Sequence, residues 1–288
     1  MKVYFDSYLI ENLENATVDI TGGFEADYFT VEFRYSDLEI FKKIWDAKGE
    51  RVKIEIEGKE VFRGIIDVAE YHPFEGRIMI EGRDLTALLQ DEILGNISEI
   101  QGKRSHEIVE ILGKKVGLKV KAEKGEKVFG LSENKILGEN ETLWDIIKYF
   151  AMEEGFRAYV RRDTLYFGPA AQKKVRYRFK KGDFETLVFE QSKTLSLAVK
   201  VEVVGYDPEK KRKVIGRAES PLKNRPGTKT IRIREVGIKT KEQAEKRAKA
   251  ILKDISNKMI RVRCSVKGFV DLDIDERVYI ECGDIKGA

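Results

Sequence analysis

The sequence has no long hydrophobic run, which a membrane-spanning helix would need, and only two cysteines, which are too few for the disulfides of a typical small secreted protein. No stretch approaches the roughly 18 consecutive apolar residues that a membrane-spanning helix needs. An acidic residue, Asp6, comes before any apolar segment that could serve as the core of a signal peptide. We therefore expect a protein that is made and kept in the cytoplasm, with no membrane insertion by this chain.

Cysteine and histidine, which supply most metal ligands and many nucleophiles, are scarce. The two cysteines, Cys264 and Cys282, are too few for a disulfide framework and have no CxxC spacing. The two histidines, His72 and His106, lie far apart in the sequence. HExxH, P-loop and GxSxG motifs are also missing. These absences predict a protein that is not an enzyme and that uses no metal or cofactor.

Two short runs of the sequence suggest a catalytic nucleophile and a calcium site, but each has a simpler structural explanation. The run Ser105–Glu107 places a hydroxyl next to an imidazole, but adjacent residues on a helix point in different directions. Ser105 is therefore predicted to cap a helix. The alternating acids of Asp271–Asp275 resemble a calcium loop, although the glycine and the final glutamate of that loop are missing. A solvated loop is the prediction here.

The charges are numerous but nearly balanced, which argues against a nucleic-acid partner. Lysine and arginine total 54 and aspartate and glutamate total 50, so the net charge is +4. Signs alternate on predicted strand faces, as in Lys53 and Glu55, instead of forming one basic surface. The basic run Lys210–Lys213 is predicted to be the tip of a hairpin, with phosphate binding as the alternative. Abundant lysine and glutamate predict a thermophilic source.

Residues 1–95 carry mainly strand patterns and one helix. Apolar residues alternate through Arg51–Glu57, and the turn at Gly58 predicts a hairpin with Val61–Val68. Another strand is predicted over Arg77–Glu81. The helix is predicted to start at an Asp37 cap and to end at Gly49. Its apolar stripe comprises Leu38, Phe41, Ile44 and Trp45.

Residues 96–172 change to an α+β pattern. Ser105 and Gly117 mark the start and the end of one helix. Thr142 opens a second helix, which Gly155 terminates, and its apolar stripe predicts a buried Trp144. A hairpin is then predicted from residues 156–160 and 164–167. This segment is predicted to be a small α+β unit inserted between β segments.

Residues 173–288 return to strands, again with one helix. Valines alternate over Val199–Val203, and Thr240 is placed to cap a helix that extends to Ile255. The alternation of the closing strands predicts that Cys264 and Cys282 point into the same barrel core on neighbouring strands. Whether they form a disulfide is left open, because one residue of register decides it. The fold class predicted is mainly β, with two similar β-barrels separated by the small α+β unit.

Three groups of segments, in this order, resemble the baseplate-hub family of contractile phage tails, which includes the late-control D proteins. The first group is Phe62–Asp67 and Ile78–Leu89, the second is Thr142–Asp145, Gly155-Phe156 and Asp163–Phe167, and the third is Ala244–Ile255, Ile260–Gly268 and Glu276–Cys282. Family members similarly have a G-x-I strand followed by a strand that ends in Gly-Arg-Asp, found here at residues 82–84. The glycine that the family often has before its last strand is replaced here by Asp275–Val278.

The resemblance implies a structural hub subunit that forms a homotrimeric ring. Two similar barrels per chain would give six barrels around the ring, which would join a hexameric tail tube to a trimeric spike. The implied partners are further copies of this chain, the tail tube protein and the spike protein, within a virion or phage-like particle. Closed rings are the usual outcome of such contacts. The alternatives are a barrel-type nucleic-acid-binding protein and a tail-tip cell-wall hydrolase carrier.

Overall fold

The structure is a computed structural model in which the chain forms two compact units. The first comprises Met1–Lys174 with Phe269–Glu276, and the second comprises Val175–Gly268 with Arg277–Ala288. The described residues are 1–22, 24–35, 38–46, 51–130, 137, 140–170, 174–192, 198–207, 210–220, 228–235, 238–257, 260–266, 272–273, 276–283 and 285–287. The division into residues 1–95, 96–172 and 173–288 stays a prediction.

The first unit combines a large antiparallel sheet with a smaller α+β part. Its strands are β1 (Lys2–Phe5), β2 (Tyr8–Leu9), β3 (Leu13–Asp19), β4 (Tyr28–Arg34), β5 (Arg51–Ile56), β6 (Lys59–His72), β7 (Arg77–Asp84), β8 (Lys119–Ala122), β9 (Arg157–Arg161) and β10 (Thr164–Gly168). Its helices are α1 (Leu38–Trp45), α2 (Ala87–Gln90), α3 (Ser105–Lys115) and α4 (Leu143–Glu154), with a 3₁₀ turn at Ile97–Glu99.

The large sheet has the strand order β2-β1-β5-β6-β7-β4-β3. Its inner face follows the period-two alternation of the sequence: Val52 and Ile54 of β5 are fully buried between exposed or half-buried charged neighbours. The predicted hairpin of β5 with β6 is confirmed, as is the strand at β7, which extends to Asp84.

In the α+β part, helices α3 and α4 pack against a three-stranded sheet with the strand order β8-β10-β9. Thr142 caps α4, its hydroxyl accepting a hydrogen bond from Asp145 N at 3.1 Å, and Gly155 ends the helix with a φ of 71°. Trp144 is buried, and its Nε1 donates to the Phe24 carbonyl at 2.7 Å. The predicted start and end of α4, the β9–β10 hairpin and the burial of Trp144 are therefore confirmed.

Helix α1 differs from its predicted stripe. Ile44 is buried, but Trp45 is 58% exposed, so the expectation of a core Trp45 is wrong. Trp45 is the last residue of this eight-residue helix, about 100° around the axis from Ile44, and Ile44 is the one of the two that belongs to the apolar cluster containing Val52 and Ile54. The side chains of Leu38 and Phe41 lie outside the described residues, as do the predicted boundary residues 37 and 49.

The second unit contains three small sheets and one long helix in its described residues. The strands are β11 (Val175–Lys180), β12 (Phe184–Gln191), β13 (Ala198–Asp207), β14 (Arg212–Glu219), β15 (Thr228–Arg234), β16 (Ile260–Val266), β17 (Arg277–Cys282) and β18 (Ile285–Gly287). The helix is α5 (Lys241–Asn257), and a 3₁₀ turn covers Lys181–Asp183.

The core of the second unit lies between α5 and the sheet β14-β13-β15. Alternate valines of β13 from Val199 to Val203 pack with Ala244 and Ala248 of α5, where small side chains bring the helix close to the sheet. Thr240 caps the helix as predicted, since its hydroxyl accepts from Gln243 N while the Gln243 side chain accepts from Thr240 N.

The predicted pairing of the closing strands is wrong. Strand β16 pairs with β12, whereas β17 pairs in parallel with β11 and antiparallel with β18. Cys264 and Cys282 therefore belong to different sheets, and both thiols are free. Cys264 is exposed instead of buried, and its face of β16 also exposes Val262. Alternation in a sequence indicates which residues share a face, but not which distant strand lies alongside.

Candidate functional site

The two motifs of the first resemblance group lie on neighbouring strands. In the β6–β7 pairing, Gly64 lies opposite Asp84 and Ile66 lies opposite Gly82. A Cβ atom on Gly82 would overlap the Ile65 carbonyl oxygen, and the two strands could not keep this close approach. The glycines of the G-x-I and Gly-Arg-Asp motifs therefore serve one close contact between two backbones.

The arginine of the second motif joins three elements of the first unit. Arg83 Nε donates to Asp67 Oδ2 at 2.7 Å and its Nη2 donates to Asp67 Oδ1 at 2.8 Å, so the pair across β6 and β7 is bidentate. Arg83 Nη2 also donates to Asp91 Oδ2 at 3.1 Å, just after α2. The guanidinium thus links the end of β7 to β6 and to the residue that follows α2.

The aspartate of the same motif, Asp84, is buried, and its pKa is shifted further from the usual value than that of any other acid in the site. Asp84 accepts hydrogen bonds from Thr86 N at 3.1 Å and from Thr86 Oγ1 at 3.0 Å. Burial, and then the nearby charge of Asp27, raise the pKa of Asp84 to about 7, against the opposing effect of the Thr86 hydrogen bonds. The carboxyl group is therefore partly protonated near neutral pH.

A second buried acid, one arginine and a partly exposed third acid complete what we call the acid–arginine cluster: Asp27, Asp84, Arg161 and Asp273. Arg161 Nη1 donates to Asp27 Oδ2 at 2.6 Å, and Arg161 Nε donates to Asp273 Oδ1 at 2.9 Å. Burial raises the pKa of Asp27, while Thr21 and Arg161 oppose that rise. The cluster connects the hairpin of β9 with the segment before β4 and with residue 273.

The buried acids do not line the groove beside them. This groove of about 440 Å³ is lined by residues of β3 and of the β9–β10 hairpin, including Arg161 and Asp163, and by Leu272 and Asp273. Asp27 and Asp84 are each 4% exposed and are not among its lining residues. A substrate in the groove would meet the arginine and not the two carboxyl groups with raised pKa values.

Protonation of Asp84 is expected to make the stability of the protein depend on pH. Because the folded-state pKa of about 7 lies above the unfolded value of 3.8, stability is greatest below pH 3.8 as far as this group is concerned. That contribution is lost as the pH rises through about 7. Asp84→Asn should flatten the fall in melting temperature between about pH 4 and pH 8. An unchanged pH profile in calorimetry would contradict the assignment.

The residues that the sequence offered for catalysis make structural contacts. Ser105 is the first residue of α3 and does not cap it, which corrects the prediction: its hydroxyl donates to Glu154 Oε1 at 2.7 Å. The cap position is one residue earlier, where Glu107 accepts from the Arg104 backbone N–H at 2.7 Å. His106 Nδ1 accepts from Gly125 N at 3.3 Å.

The remaining candidate sites show no ligand set in the part of the chain that the structure describes. Of the run Asp271–Asp275, only residues 272 and 273 are described, and Asp273 contacts Arg161. Among the described residues, no group of three potential metal ligands occurs. The run Lys210–Lys213 lies at the β13–β14 turn, as predicted, with a φ of 46° at Lys211. None of the described helices is long and apolar enough to span a membrane.

The fold is similar to those of solved phage tail proteins over almost the whole chain. The tail protein from Neisseria meningitidis MC58 matches with a TM-score of 0.79 at 18% identity, covering 99% of this chain and 88% of that one. The 43 kDa tail protein of prophage MuSo2 from Shewanella oneidensis matches with a TM-score of 0.71 at 16% identity, covering 98% and 87%.

A prophage tail protein from Listeria monocytogenes EGD-e also matches, with a TM-score of 0.61 at 12% identity, covering 98% of this chain and 84% of that one. No family model matches the sequence, and no curated protein matches it. The likeness to these three proteins is thus one of structure, at sequence identities of 12–18%. The chain has the mainly β fold of phage tail proteins.

Proposed function

We propose that this chain is a structural subunit of a phage tail or phage-like injection particle, and that it forms a homotrimeric hub ring. In this role it joins a hexameric tail tube to a trimeric spike in a contractile particle. The observation that carries the proposal is the fold: three phage tail proteins match 98–99% of this chain with TM-scores of 0.61–0.79. The resemblance of the Gly-Arg-Asp region to baseplate hubs supports the more specific role.

A ring of three subunits can bind a tube of sixfold symmetry only if each subunit presents two equivalent surfaces, which two similar β-barrels per chain would supply. Each compact unit supports this: the first has the seven-stranded sheet with α1, and the second has its small sheets with α5. In the proposal, residues 1–95 and 173–288 supply the two similar barrels and residues 96–172 supply the α+β unit between them. Three copies then present six similar surfaces to the tube.

Turnover and nucleic-acid binding are not part of the proposed role. The two carboxyl groups with raised pKa values are buried and do not line the groove. The two carboxylates that line it, Asp163 and Asp273, are ion-paired with Lys119 and Arg161, which argues against a hydrolase cleft. On the sheet of the second unit, Glu202 is buried between Arg217 at 2.9 Å and Arg232 at 2.7 Å. These two arginines already share a carboxylate, which reduces the positive charge that this face offers to phosphates. The composition supports a thermophilic source for the particle.

The mass of the purified protein in solution tests the proposed ring. Multi-angle light scattering at micromolar concentration should give about three times the 33.1 kDa mass of one chain. The control is a dilution series, in which a reversible ring should dissociate to single chains without losing its melting transition. A mass of one chain at every concentration would contradict the homotrimer.

A further inference from the structure

One large apolar side chain of the first unit lies entirely in solvent. Phe74 belongs to the turn between β6 and β7, residues 73–76, which we call the hairpin tip, and it is 103% exposed. The next most exposed large apolar residue in the described part of the chain is Trp45, at 58%. An aromatic ring in water buries no apolar area and so adds nothing to the stability of a single chain. Exposed aromatic residues of this kind are typical anchors of protein–protein contacts.

The hairpin tip holds Phe74 in a defined position. Glu75 N donates to the His72 carbonyl at 3.1 Å, which closes a β-turn. Pro73 is the second residue of this turn, where its ring presets the backbone angle that the turn needs. Gly76 follows with a φ of 64°, a conformation that glycine adopts without strain. A side chain on such a rigid turn loses little conformational entropy when it binds.

The groove of the first unit lies at the other end of the same strand. Its apolar lining includes Val18, Ile20, Ile56 and Val61, and Ile20 is 42% exposed. Val61 is near the start of β6, whereas the hairpin tip follows the end of β6. About 35 Å of extended strand therefore separates the groove from the tip. The tip of one chain cannot enter its own groove, but the tip of a second copy can.

The charges of the hairpin tip and of the groove are complementary. Arg77 Nη2 lies 2.7 Å from Glu75 Oε2, and Arg77 Nη1 also contacts Glu32, so two carboxylates share one cation at the tip. At the groove, Arg162 is exposed and makes no ion pair with the residues that the structure describes. Excess negative charge on one surface and an unpaired arginine on the other favour contact between them.

We propose that the hairpin tip of one copy of this chain inserts Phe74 into the groove of the next copy, and that this contact joins the subunits of the proposed ring, on which this inference rests. A second copy fits the groove because its tip supplies an apolar anchor for the apolar lining and a carboxylate for Arg162. The contact joins two different surfaces of one chain, so it repeats from copy to copy, and it closes a ring when the rotation allows. Each copy contributes one tip and accepts one.

Truncation of the anchor tests the contact. Phe74→Ser should weaken self-association by at least about tenfold, because it removes the residue that the contact buries. The melting temperature of the dilute single chain should not change, since Phe74 packs against nothing in its own chain. Phe74→Leu keeps an apolar side chain and should associate more tightly than the serine variant. The control is Tyr206→Ser, at an aromatic residue of β13 that is 49% exposed, which should assemble like the wild type. Sedimentation velocity over a dilution series measures each case.

A mixing experiment tests whether the tip and the groove meet between copies. A groove variant with Ile20→Glu and Arg162→Glu should also fail to assemble, because both glutamates repel the acidic tip. The Phe74→Ser chain keeps an intact groove, and the groove variant keeps an intact tip. An equimolar mixture should therefore form pairs of two chains and nothing larger, since only one intact contact is possible. Each variant alone, at the same total concentration, should remain single and is the control.

The outcomes separate this contact from the ring itself. A Phe74→Ser variant that assembles like the wild type, or a mixture of the two variants that stays single, would overturn the contact and leave the ring. A wild type that stays single at every concentration would overturn the ring and the contact with it. Hydrogen exchange at the tip that slows only when a different tail protein is added would overturn the pairing of two copies.

Discussion

Trp144→Ala is expected to lower the free energy of unfolding by about 3–5 kcal/mol, because it removes a large buried side chain and leaves a cavity. Trp144 is 2% exposed at the start of α4 within the largest apolar cluster of the first unit. Its Nε1 hydrogen bond to Phe24 is lost as well, which leaves a carbonyl without that donor. Denaturant unfolding followed by circular dichroism measures the change.

The chain's other tryptophan is the matched control for this substitution. Trp45→Ala removes the same side chain from α1, where it is 58% exposed, and should cost less than about 1 kcal/mol. Equal losses in the two variants would mean that Trp144 is not in the core. A Trp45 variant with the larger loss would restore the apolar stripe that the sequence predicted for α1.

Arg161→Met is expected to destabilise the protein by about 3–5 kcal/mol, because it leaves the acids of the acid–arginine cluster without their cation. Arg161 Nη1 contacts Asp27, which is 4% exposed, and the same side chain contacts Asp273. The loss should become smaller in acid, since protonation of the buried carboxyl groups removes the uncompensated charge. Melting temperatures at about pH 5 and about pH 8 measure it.

Arg162→Met is the control, because this neighbouring arginine is exposed in the turn between β9 and β10. It removes one positive charge from the same hairpin and should leave stability within about 0.5 kcal/mol. If the Arg161 variant loses the same stability at both pH values, the cause is lost packing and not buried charge.

Local features of the fold could be predicted from the sequence because their causes are local. The hairpin of β5 and β6 follows from alternation and a glycine turn, and the ends of α4 follow from Thr142 and Gly155. Trp144 lies in a long apolar stripe, which fixed its side of the helix. In the short helix α1 the same reasoning gave the wrong side for Trp45.

Features that depend on distant segments could not be predicted. Nothing near Cys264 in the sequence indicates that its strand pairs with β12 and not with β17. The acid–arginine cluster joins Asp27, Arg161 and Asp273, which are far apart in the chain, and only Asp84 was marked in advance by its motif. The alternation of β13 predicts that Glu202 lies on the solvent-exposed face of the strand. In the structure it is buried by two arginines from the neighbouring strands β14 and β15.

The most direct test of the central claim is electron microscopy of the purified full-length protein. The proposed hub role predicts closed rings with threefold symmetry, six similar lobes and an open lumen in class averages. Particles of single-chain size at every concentration, or rings with another symmetry, would contradict the claim that three copies of this chain form a hub.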